Sequence, residues 1–259
     1  MKVELKDLDF GYDPSKPVLK GINYTFEKPE FVCIMGPNGV GKSTLVHCIN
    51  KILKPTGGCV LVNGKDNKEM KLKELASHMG YVPASSEDSF PLTVVDTIMV
   101  GLQNDTKFTT SEDDLQKVYD VLKLMSIEHL AMRNFNELSA GQHQKVVLAR
   151  GIVRMPEMVI LDEPTSNLDI RHQLEVTRIL SELPKQRNMI ILMISHDINI
   201  TAKYADRIIM LNGGNIFAVG TPSEVLTKEN IRTVYGVDAD VIEVDGRPHV
   251  ILKSAIREE

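Results

Sequence analysis

The sequence predicts an α/β fold: a mostly parallel sheet, an antiparallel β part at the N-terminus, and an inserted lobe of helices. Three observations predict it. The apolar runs Phe31–Met35, Met158–Leu161 and Ile190–Ile194 are unbroken, as strands covered on both faces must be. Each run leads into polar residues and then a helical stretch, the strand–helix–strand order that builds parallel sheets. Between the first run and the other two, the apolar spacing changes from strand-like to helical.

The elements follow in order. Val3 and Leu5 alternate with charged residues, and Ile22, Tyr24 and Phe26 alternate with polar ones, so the first 30 or so residues read as half-exposed strands. After the first buried strand comes a Gly-rich turn, then a helix from about Lys42 to Leu53. Thr56-Gly57-Gly58 reads as a turn opening a short strand from Cys59 to Val62, which Asn63-Gly64 closes. From about Ala84 to Arg154 the pattern is helical. Ser111 is a candidate N-cap with Glu112, Asp113 and Asp114 in the first turn, and Leu115, Val118, Tyr119, Leu122 and Met125 recur at helical spacing. Near the end, Arg207 to Leu211 and Ile216 to Val219 flank Asn212-Gly213-Gly214-Asn215, a hairpin signature. Thr221-Pro222-Ser223-Glu224 carries the residues of a capping box, and Asp245-Gly246 marks a last hairpin between Val241 and Leu252. We expect one domain, 1–259, with one lobe from 1–83 and 155–259 and the helical lobe from 84–154.

Composition narrows the function classes. A charge of −5 gives no sign of the basic face of a nucleic-acid binder, so no nucleic-acid partner is expected. Three cysteines, Cys33, Cys48 and Cys59, with no CxxC pair, argue against a disulfide framework or a structural zinc. Buried free thiols are the expectation. The longest apolar run, 189–194, is strand-sized, so if a membrane matters another chain must span it.

The chemistry begins at Gly36-Pro37-Asn38-Gly39-Val40-Gly41-Lys42-Ser43, with Thr44 next. It fits G-x-x-x-x-G-K-[ST], a strand before it and a helix after it. Glycines let the backbone curl so that several N–H groups face phosphate oxygens, and the helix N-terminus adds its positive end. In such a loop Lys42 reaches the terminal phosphates of ATP and Ser43 binds Mg²⁺. Asp162 and Glu163 end the second apolar strand, where parallel sheets bind ligands. Asp162 is the candidate second group on Mg²⁺, and Glu163 the candidate that polarises the attacking water. His196 follows the third strand and could donate to the terminal phosphate. His47, His78, His129, His143, His172 and His249 are read as structural.

Leu138-Ser139-Ala140-Gly141-Gln142 stands between the phosphate loop and Asp162-Glu163-Pro164-Thr165-Ser166-Asn167-Leu168-Asp169. As an ordered set these motifs resemble the ABC ATPase family over nearly the whole chain. The resemblance implies an ATPase that works as a homodimer with two ATP molecules sandwiched between the subunits. Each site would pair 36–44 of one chain with Ser139, Gly141 and Gln142 of the other. Tyr12 matches the ring that stacks on adenine, Ser166 to Asp169 the dimer-contact loop, and His196 the switch histidine; Lys42, Glu163 and His196 would carry the catalysis. The sequence departs from the pattern twice. Ala84 follows Tyr81-Val82-Pro83 where Gln is usual, so Ser85, Ser86 or water would have to fill its place and basal hydrolysis would be slow. Ala140 replaces a usual Gly, at a cost of about 1 kcal/mol if that backbone needs a positive φ. The stretch from Gly220-Thr221-Pro222-Ser223-Glu224 to Val234-Tyr235-Gly236-Val237 resembles the importers of iron–siderophore, haem and cobalamin. That branch implies two membrane-spanning permeases docked near 84–99, an external binding protein, and a place on the cytoplasmic face of the cell membrane.

Overall fold

The computed structural model describes residues 1–84, 92–102 and 111–256. The chain begins β1 (Val3–Phe10), β2 (Leu19–Phe26), β3 (Phe31–Met35), α1 (Lys42–Ile49), β4 (Gly57–Val62), β5 (Lys65–Asp66), α2 (Leu72–His78) and β6 (Met79–Val82). Helices follow: α3 (Val94–Val100), α4 (Glu112–Leu124) and α5 (Ala140–Ile152). Strands and helices then alternate through β7 (Met158–Leu161), α6 (Ile170–Arg187), β8 (Ile190–Ile194), α7 (Ile198–Tyr204) and β9 (Arg207–Asn212). The end of the described chain holds β10 (Asn215–Gly220), α8 (Pro222–Val225), α9 (Lys228–Tyr235), β11 (Val237–Val244) and β12 (Arg247–Ala255).

A six-stranded sheet in the order β10-β9-β3-β8-β7-β6 is parallel except for β10 at its edge. Its central strands are buried along their length, which is why β3, β7 and β8 are unbroken apolar runs. The two-residue period of β3 sorts its side chains. Phe31, Cys33 and Met35 join the core under α3–α7, while Val32 and Ile34 face a second core with α1 and the antiparallel sheet β2-β1-β4-β5. The parallel sheet is therefore the middle layer, covered on both faces over its central strands.

Local chemistry sets several ends as the sequence predicts. Ser111 accepts the Asp114 N–H and Asp114 reaches back, closing a capping box at α4. Thr221 and Glu224 form the predicted box at α8, and the hairpins β9–β10 and β11–β12 pair antiparallel. Three sets of boundaries differ, the last hairpin running from Val237 to Ala255 and so longer at both ends than predicted. Helix α1 stops at Ile49, not Leu53, because Asn50 leaves the helical region and Lys51 takes a positive φ of 65°. Strand β4 begins at Gly57, inside the predicted turn, where Gly57 pairs with Asp9 across a register shift in β1. Ala140 is the first residue of α5 and has no positive φ, so its methyl carries no backbone penalty. Ser85 and Ser86 lie outside the described residues.

Cys33 and Cys48 are fully buried free thiols, and Cys59 is half-buried. Burial pushes the Cys48 thiol up to about 12 and Cys33 higher still. A thiol reagent at pH 8 should therefore modify Cys59 alone in the folded protein and all three in guanidinium. Mass spectrometry of the labelled peptides reads the difference.

Candidate functional site

The turn between β3 and α1 is built by backbone that only glycine takes without strain. Gly36 has φ 145°, and a Cβ there would stand 2.4 Å from the Leu211 carbonyl oxygen; Gly41, at φ 105°, would press on Leu19 at 2.8 Å. The result is a curl of backbone opening onto a cleft of about 690 Å³. Asn38, Gly39, Gly41, Lys42, Ser43 and Thr44 line it, joined by Tyr12, Glu163 and His196. Gly36, Pro37 and Val40 shape the loop from behind and do not line the cleft. Val40 packs against the second core, and the Gly36 and Pro37 carbonyls each accept a hydrogen bond from Lys42 Nζ at 2.9 Å.

Lys42 is 5% exposed. Burial pulls its ammonium below the usual lysine range, and the Glu163 and Asp162 carboxylates pull it back up. The Ser43 hydroxyl donates to Asp162 Oδ1 at 3.1 Å. Burial pushes the Asp162 carboxyl up, while the Ser43 hydroxyl, His47 and Lys42 draw it down. A desolvated carboxylate beside a hydroxyl is a pair of hard oxygen donors that a small divalent cation would relieve, so these residues fit Mg²⁺. Among the described residues no cluster of three or more His, Cys, Asp or Glu could hold a metal unaided.

Strand β7 delivers Asp162 and Glu163, and the Asp162 N–H donates to the Val82 carbonyl at 2.9 Å. Glu163 sits at φ 50°, a left-handed conformation that costs a non-glycine residue about 1–2 kcal/mol and turns its carboxylate into the cleft. The chain after β8 brings His196 to the same place: its Nε2 lies 2.5 Å from Glu163 Oε1. Tyr12 stands 70% exposed at the cleft mouth, held edge-on against Phe10 with ring centroids 4.9 Å apart. An exposed flat ring beside a phosphate-sized curl can stack on a base.

Ser139, Gly141, Gln142 and Asp169 do not line this cleft. Ser139 caps α5 in a capping box with Gln142, and Asp169 caps α6. The same chain thus brings together one half of the predicted site and holds the other half elsewhere.

Several neighbours are not named by the sequence motifs. His47 Nε2 stands 3.0 Å from the Tyr81 hydroxyl and 3.8 Å from Asp162 Oδ2. It falls four residues after Ser43, so the helical period already placed it on the Ser43 face. The Tyr235 hydroxyl, which burial pushes up to about 12, takes a backbone hydrogen bond from Gly36. Val18 lines the cleft near Gly41. Nothing in the sequence signals these last two.

A family model described as "ABC transporter" matches residues 19–166. The chain belongs to the ABC transporter family. An uncharacterized ABC transporter ATP-binding protein of Methanocaldococcus jannaschii is 42% identical over 251 residues, covering 97% of this chain and 98% of that one. The hemin import ATP-binding protein HmuV of Escherichia coli O157:H7 is 36% identical over 229 residues, covering 86% and 88%. The solved dimeric structure of a bacterial ABC transporter cassette superposes with a TM-score of 0.73 at 28% identity, covering 85% of this chain and 98% of that one. As an ABC transporter ATPase, this chain binds and hydrolyses ATP.

Proposed function

We propose that two copies of this chain power an importer of iron–siderophore, haem or cobalamin, with ATP and Mg²⁺ held in the cleft at 36–44. The observation that carries the two-copy reading is the split site. Lys42, Ser43, Asp162, Glu163 and His196 converge around one cleft, whereas Ser139, Gly141 and Gln142 cap a helix outside it. A second copy, turned head to tail, would bring that helix N-terminus to the terminal phosphate and shut out water. The dimeric relative supports this arrangement.

In this reading the curled backbone and Lys42 hold the phosphates, Tyr12 stacks on the adenine, and Ser43 and Asp162 hold Mg²⁺. Bound there, the metal would neutralise charge on the phosphate oxygens. Glu163 accepts the proton of the attacking water at its carboxylate. His196 holds that carboxylate through Nε2 and, with ATP bound, would turn this donor to the terminal phosphate. Residues 1–83 and 155–259 form the catalytic lobe and 84–154 the helical lobe, so hydrolysis waits for both lobes of both copies.

No helix among the described residues is long and apolar enough to cross a membrane, so partner permeases would supply the pore. A second cleft of about 340 Å³ lies where β6, α3 and α5 meet, bordered by Tyr81, Pro83, Val100, Val147 and Gly151. It suits a short permease helix and adjoins the predicted docking stretch, of which 85–91 lie outside the described residues. The chain would sit against the cytoplasmic face of the membrane, with a binding protein delivering cargo outside. Import is supported by HmuV and by the resemblance of the tail.

Reconstitution with candidate permeases of this importer class tests the reading. Uptake of haem, a ferric siderophore or cobalamin into vesicles, with ATP on this chain's side, is the expected result. ATP-driven movement in the opposite direction, or of none of these cargoes, overturns the importer assignment.

A further inference from the structure

Two segments that the dimer reading offers to a partner, the one at Ser139 and the loop ending at Asp169, meet within one chain over a single imidazole. The Asp169 carboxylate accepts the backbone N–H of His172 at 2.9 Å, capping α6. The ring Nδ1–H of His172 donates to the same carboxylate and lies 2.9 Å from both of its oxygens. These donors hold the Asp169 carboxyl below the usual range.

The far edge of the ring rests on Gly141, in the first turn of α5. A Cβ added to Gly141 would stand 2.2 Å from Cδ2 of His172, 2.6 Å from Cγ and 2.7 Å from Nε2. Gly141 has no positive φ, so its backbone conformation does not demand glycine. The neighbouring ring does. One turn further along, Lys145 of α5 meets Glu175 of α6 at 3.2 Å, and Arg171 holds the other oxygen of Glu175 at 3.0 Å. The Gln173 amide donates to the Thr165 carbonyl at 3.1 Å and steadies the loop before Asp169.

We propose that His172 is a positioning residue that fixes the Ser139 segment and the Asp169 loop to each other, so that both engage the partner's nucleotide as one preformed surface. The inference rests on the two-copy reading above. His172 lines no part of its own cleft, so it acts through the two segments it joins. Two separately mobile surfaces would each have to be ordered when the dimer closes, and a joined pair lowers that entropic cost. An imidazole suits this role because its Cγ–Cδ2–Nε2 side can lie close to a bare Cα while Nδ1–H donates to a carboxylate.

The test uses the full chain. In the wild-type background, His172→Ala should lower kcat about tenfold while single-copy affinity for a fluorescent ATP analogue stays within about twofold. His172→Asn can still donate to Asp169, and should fall between Ala and wild type; it also serves if the Ala variant folds poorly. In a Glu163→Gln background, ATP should drive two copies together, and adding His172→Ala should weaken that association by a similar factor. An unchanged kcat in a folded His172→Ala protein overturns the inference, as does a loss carried by weaker single-copy binding. If Glu163→Gln with His172 intact forms no ATP-dependent two-copy species, the sandwich reading itself fails.

Discussion

Replacing Glu163 with Gln should lower ATP turnover by about 10²–10³-fold, or roughly 3–4 kcal/mol of barrier, while leaving ATP binding within about twofold. Glu163 lies two residues beyond the buried strand β7, takes a left-handed backbone conformation and presents its carboxylate to the cleft against His196. The amide keeps the size and most of the hydrogen bonding but cannot take a proton. Binding should survive because the proposed phosphate grip lies elsewhere, in the backbone curl at 36–44 and in Lys42. Single-turnover hydrolysis and equilibrium nucleotide binding, measured side by side, separate the two. Turnover retained to within about threefold would remove Glu163 from the chemistry and turn attention to His196 as the base.

The second large effect is Lys42→Ala, and here binding should fail. Lys42 is nearly buried, its Nζ is held by two loop carbonyls, and it is the one lysine or arginine among the described residues that line the cleft. Charge-assisted hydrogen bonds from such a cation contribute about 1.5–3 kcal/mol each, so ATP affinity should fall by about 10–100-fold or more. Stability should change little. Burial already pulls the Lys42 ammonium downward, so removing it takes away a poorly solvated charge as well as two hydrogen bonds. Calorimetric titration with ATP and a thermal melt of the same sample check both halves. A large drop in Tm with unchanged affinity would make Lys42 a structural residue.

Much of this is legible in the residues alone. The strand–turn–helix at 31–49, the acids after β7 and the histidine after β8 are local patterns. Each is readable because hydrophobic period and turn chemistry act over a few residues. Two of the boundaries that differ are also local: an Asn-Lys helix end that reads as helix, and a glycine pair that reads as turn although cross-strand pairing draws it into β4.

The sequence by itself determined where the glycine-rich curl lies, which strand ends carry carboxylates, and to which family the ordered motifs point. Only the tertiary structure decided which of those pieces share a cleft. It set His196 against Glu163 across 33 residues, His47 beside Tyr81 and Asp162, Tyr235 on Gly36, and the ring of His172 on Gly141. The physical reason is range. Propensity and periodicity report on neighbours along the chain, whereas these contacts are set by how strands order in a sheet and how helices pack upon it, and no short window of residues carries that order.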